Sequence, residues 1–120
     1  MNIRPTHQEP LTLSLFVRIA SGDLAGMAFE VADAVLAGPA FVPDLEFAMM
    51  RLSIEVMDED AAENIMAFAR ECSKCCQTNL DALCYLPGDQ GQTIGRISLF
   101  QVQMNRIANR ANARLDALAM

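Results

Sequence analysis

The sequence is short of the residue types that catalysis and metal binding draw on most often. It has one histidine, His7, and no serine or cysteine stands near it as a nucleophile to be activated. There is no G-x-S-x-G elbow and no glycine-rich loop that could cradle a phosphate. Basic residues are also scarce. Nine Lys and Arg against fifteen Asp and Glu leave a net charge of −6, which argues against nucleic acid, because a phosphate backbone has to be met by a basic surface. No apolar run approaches the roughly 18 residues of a membrane span, and the opening MNIRPTHQEP is too polar for a signal peptide. The chain therefore reads as a cytoplasmic protein with reduced thiols, and as a non-enzyme with no catalytic residues and no cofactor. Glu30 and Asp33, a carboxylate pair on one helical face, read as solvated.

Apolar residues are plentiful. They make up 52% of the 120 residues, and the 6 glycines bring the figure to about 57%, against a usual ~45–50%. A chain of this size forms one domain and struggles to hide such an excess in its own core, so a homodimer, a partner-binding face or both are expected. Methionines at Met27, Met49, Met50, Met57, Met66 and Met104 add flexible side chains of the kind that recur on adaptable binding surfaces.

Four cysteines are the residues that most resemble a reactive site. Cys72, Cys75, Cys76 and Cys84 include a C-x-x-C. A structural zinc site, however, needs four ligands converging from two elements, and here all four cysteines fall on one predicted helix with Cys84 two turns beyond the rest. A thioredoxin-like reading needs a preceding strand, which is absent. They read as packed structural thiols, with no metal.

Hydrophobic spacing divides the chain into an N-terminal arm at 1–9 and a single all-α domain at 10–120, a compact bundle of four to five helices. Residues 11–20 fit either an alternating strand or a helix beginning after Pro10; with no second alternating run to pair with, helix is preferred. Ser21-Gly22-Asp23 breaks the chain and can cap a second helix, which Gly38-Pro39 ends in a left-handed cap. A third helix is predicted at about 43–57. Asp58-Glu59-Asp60 opens the fourth, with Asp60 and Glu63 as a capping box, and Pro87-Gly88 stops it. The last runs from Thr93 to Ala119. The final two are long and joined by a short loop, which favours antiparallel packing.

Two faces are candidate contacts. On the last helix Ile97, Gln101, Met104, Ala108, Ala111 and Leu115 recur at steps of three and four and predict a homodimer interface. Phe100 and Ile107 widen that stripe, and Arg106, Arg110 and Arg114 form a basic row beside it, read as a solvated face or an intersubunit ion pair. The 43–57 helix is apolar on most sides. Its bulkier stripe, Phe47, Met50, Ile54 and Met57, is predicted to face outward and bind a partner, while Leu45, Met49, Leu52 and Val56 pack inward.

The succession of EPLTLSLFVRIASGDLAGMAFEVADAVLAG, the apolar FVPDLEFAMMRLSIEVM and the cysteine-bearing long helix resembles the small quorum-sensing antiactivators. That resemblance covers most of the chain and rests on length, acidity and overall character. It implies an all-helical cytoplasmic dimer without cofactor. Such a protein binds a transcription factor, a LuxR-type receptor, and blocks that receptor's own dimerisation. Other helical interaction modules, such as a phage-type inhibitor or a secretion adaptor, share the same features.

Overall fold

The computed structural model describes residues 16–22, 28–38, 48–49 and 51–120. Within them the protein is all-helical, with no strand. Residues 16–20 are helical (α1), followed by α2 at Ala28–Ala37, a 3-10 turn at Ile54–Val56, α3 at Glu59–Leu83 and α4 at Gly91–Ala119. The arm at 1–9, the first residues of the 11–20 segment, and Asp23, Leu45, Phe47 and Met50 lie outside the described residues.

α3 and α4 form a long antiparallel hairpin. Gln101 fixes their register by donating to the Ser73 carbonyl at 3.1 Å and to Gln77 Oε1 at 3.2 Å. On α3 the buried residues Ala62, Ile65, Phe68, Ala69, Cys72, Cys76 and Leu83 form one face at helical spacing, with Leu80 partly buried beside them. On α4 the buried set is Ile97, Phe100, Gln103, Met104, Ile107, Ala108 and Ala111. This band is wider than a coiled-coil stripe, because α4 packs on α3 along one edge and on the N-terminal elements along the other.

The N-terminal elements lie across this hairpin. α1 sends Phe16 edge-on against Phe68, ring centroids 6.1 Å apart at 87°, a geometry worth about 0.5–1.5 kcal/mol beyond its buried area. α2 buries Ala28, Val31, Ala32 and Val35, one face at helical spacing, and leaves Phe29, Glu30 and Asp33 outside.

The helix ends differ from expectation in three places. Gly22 is left-handed, at φ +88, and closes α1 with its N–H donating to Ile19 O at 2.9 Å. Gly22 thus terminates the preceding helix, whereas the sequence suggested a cap for the following one. Gly38 does not have positive φ; the α2 terminus is finished instead by a side chain from α4, described below. The N-cap of α3 is Asp58, whose Oδ1 accepts from Ala61 N–H at 2.8 Å, so the Asp60–Glu63 capping box is two residues out of register.

The predicted 43–57 helix is also shorter than expected. Residues 48, 49 and 51 are helical, but Leu52 and Ser53 are not, and the chain restarts as the 3-10 turn. A break followed by a tighter turn rotates every later side chain relative to a continuous α-helix. Ile54 therefore swings into the core at 0% exposure and Val56 swings out to 74%, the reverse of the predicted orientation for both.

Candidate interaction surface

The most organised polar feature is a set of side chains on α3 and α4 that finish the C-terminal ends of the elements lying across them. The last turn of a helix leaves carbonyls without intrahelical donors, and these must find partners. Asn64 on α3 donates to Ala20 O at the end of α1, at 3.1 Å. Arg96 on α4 reaches Val35 O at 2.7 Å and Leu36 O at 2.8 Å, at the end of α2. Arg110 donates to Met49 O at 3.1 Å and Leu52 O at 2.9 Å, closing the short helical stretch before the 3-10 turn. Arg114 donates to Met57 O at 2.7 Å, just after that turn.

Arg110 also grips Glu55 with a two-pronged contact, Nε to Oε2 at 2.7 Å and Nη2 to Oε1 at 2.8 Å. The guanidinium holds the Glu55 carboxyl down at about 2, well below its ordinary value, chiefly through that hydrogen bonding. Two of the three residues in the arginine row, Arg110 and Arg114, are thus neither a solvated face nor an intersubunit pair, while Arg106 is exposed. Arg110 and Arg114 bind within their own chain and Arg106 stands outside the clasp, because neighbours along the row point in successively rotated directions. Arg96, far from the row in sequence, is the third member.

The predicted dimer stripe is likewise spent inside the chain. Ile97, Met104, Ala108 and Ala111 are buried against α3 and the N-terminal elements, Leu115 is partly buried, and Gln101 is bound to α3. A helix pairing in its own chain needs the same three-and-four spacing as one pairing across a dimer, so periodicity does not distinguish them. Gln103, which the stripe omitted, is fully buried. Of the predicted partner-binding stripe, Phe47 and Met50 lie outside the described residues, Ile54 is core, and Met57 is partly buried against the core.

The four cysteines are free thiols. Cys72 and Cys76 are buried in the face of α3 that meets the core, and Cys72 Sγ lies 3.7 Å from Ala28 O. Burial pushes the Cys76 thiol up to about 12 and raises Cys72 and Cys75 as well. Cys84 is exposed beyond the end of α3. Among the described residues no group of three His, Cys, Asp or Glu is arranged to hold a metal ion. An open cleft of about 550 Å³ lies between the end of α1 and the start of α3, rimmed by Asp58, Asp60 and Glu63 and by Val17. No helix among the described residues is long and apolar enough to cross a membrane.

Large apolar side chains stand in solvent at separate places: Phe29 on α2, Val56 on the 3-10 turn, Tyr85 at 88% with Leu86 at the tip of the hairpin, and Leu99 and Val102 on α4. Comparison with known protein families, curated proteins and solved structures finds no match.

Proposed function

We propose that this chain is a protein-binding regulator that inhibits a transcription factor, of the LuxR receptor type, by occupying its dimerisation surface. It acts as a homodimer and carries out no catalysis. The observation that carries the reading is the segment from Leu52 to Met57. Val56 is 74% exposed there, yet the backbone on either side is clamped by Arg110 and Arg114. An apolar side chain held out by a rigid support binds without the cost of ordering a loop, which is what an interface anchor requires. The likeness to quorum-sensing antiactivators points to a receptor monomer as the protein that takes this anchor. A receptor held in the heterocomplex cannot pair, and so cannot read a two-fold DNA site.

The test is a titration of this protein into a purified LuxR-type receptor, followed by light scattering after size exclusion. The expected result is loss of the receptor dimer in favour of a heterocomplex, with the effect weakened by Val56→Asp while the helical signal is retained. A receptor dimer that persists in excess of this protein would overturn the reading.

A further inference from the structure

α4 turns one side to α3 and the N-terminal elements and the opposite side to solvent. The outer side carries Gly95, Leu99, Val102, Arg106, Asn109 and Ala113, spaced three and four apart and all exposed, and it continues through Asp116 to Met120. In a chain of net charge −6 this side is unusually poor in charge. It holds one cation, Arg106, and one anion, Asp116. Neither forms an ion pair with another described residue, whereas Arg96, Arg110 and Arg114 are committed to carbonyls of their own chain.

The two charges have opposite sign and sit ten residues apart, about 15 Å along the helix. Position 111 lies midway between them. If two copies of α4 cross antiparallel about a two-fold axis at that level, residue 106 of each meets residue 116 of the other. The same register sets Val102 opposite Met120 and Asn109 opposite Ala113. An isologous interface requires that each group find its complement at an equal distance on the other side of the axis. The small side chain of Ala113 lets the helices approach closely at the crossing, and Val102 and Met120 supply apolar contact toward the ends.

We propose that a second copy of this chain covers the outer side of α4 in this antiparallel register, with two reciprocal Arg106–Asp116 ion pairs. The proposal rests on the homodimer reading above and gives that dimer its interface. Two acidic copies repel each other less along a side whose charges balance, and the Arg106–Asp116 pairing supplies attraction there. A single helix pair buries less than the usual ~1,200–2,000 Å² of a stable complex, so the dimer is weak and weakens further as salt screens the ion pairs.

Sedimentation of the full chain from roughly 10 μM to 1 mM reads this directly. The expected result is a reversible dimer. Arg106→Asp or Asp116→Arg alone should raise its dissociation constant about tenfold or more, since each replaces two attractions by two repulsions. The combined Arg106→Asp, Asp116→Arg chain should return to within about threefold of the original. Both positions are exposed, so circular dichroism should show unchanged helicity, and Arg106→Gln provides a milder variant with the same direction of effect. A monomer at every concentration would overturn both this interface and the homodimer reading. A dimer indifferent to the single reversals would leave the homodimer standing and overturn this interface.

Discussion

Truncating Arg110 to Ala separates the two kinds of interaction that this side chain makes. Its ion pair with Glu55 is the more conspicuous, but the carboxylate is 63% exposed and the arginine 29%. Exposed pairs contribute about 0.2–1 kcal/mol once solvation and side-chain entropy are subtracted. The bonds to Met49 O and Leu52 O differ in kind, because those carbonyls end a helical stretch and are only part-buried. Hydrogen bonds from a charged donor contribute about 1.5–3 kcal/mol each, and water entering the vacated space recovers some of that. Taking about 1–1.5 kcal/mol for each carbonyl and adding the ion pair, Arg110→Ala should cost about 2–4 kcal/mol. Glu55→Ala should cost only about 0.2–1 kcal/mol. Against a domain stability of about 5–15 kcal/mol the first is a large loss and the second a small one. Urea unfolding of both variants and of the double variant closes the cycle, with a coupling energy of about 1 kcal/mol or less expected. If Glu55→Ala destabilises as much as Arg110→Ala, or the coupling accounts for most of the loss, the ion pair holds this segment and the carbonyl-capping account fails.

Three further outcomes follow from burial and titration. Ile54→Ala should cost about 2–5 kcal/mol in urea unfolding, whereas Val56→Ala, two residues on, should stay within about 0.5 kcal/mol; similar losses would mean that the 3-10 turn does not set their directions. In the native protein Cys84 should react rapidly with a thiol reagent at neutral pH and Cys75 more slowly, while Cys72 and Cys76 should react only on unfolding; fast labelling of all four would contradict their placement. Stability should fall at both extremes of pH. The depressed Glu55 carboxyl contributes stability that is fully present above its unfolded value near 4.5 and is lost as pH falls toward about 2. The raised thiols act in the opposite direction: above about pH 9 the unfolded chain ionises cysteines that the folded chain keeps neutral, so stability declines toward pH 12. A denaturant midpoint unchanged between pH 8 and 11 would refute the alkaline arm.

Much of the scaffold was legible in the sequence. The spacing of Ile65, Phe68, Ala69, Cys72 and Cys76 on α3, and of Ile97, Met104, Ala108 and Ala111 on α4, defines two long amphipathic helices. The short stretch around Pro87-Gly88 forces them together as neighbours. These features are local: a helix face is written in residues three and four apart, and a chain break in glycine and proline. Of the cysteines expected to pack on one helix, Cys72 and Cys76 are buried on α3 and Cys75 is partly buried there, whereas Cys84 stands exposed just past the helix end.

What the α4 stripe packs against was a tertiary matter. The same periodicity suits a partner chain or the protein's own α3, and the short connection to α3, with α2 lying across both, settled it in favour of the latter. The clasp was equally out of reach. Arg96, Arg110 and Arg114 bond to carbonyls about 60 residues earlier in the chain, and a backbone acceptor leaves no mark in the sequence. For the same reason Gly38 looked like a helix terminator although a distant arginine does that work. The orientations of Ile54 and Val56 turned on a single break at Leu52-Ser53, because one change of helical pitch carries each following side chain to a different face. Apolar periodicity shows that a helix has a face to bury; only the packed chain decides which neighbour buries it, and so which residues are left for a partner.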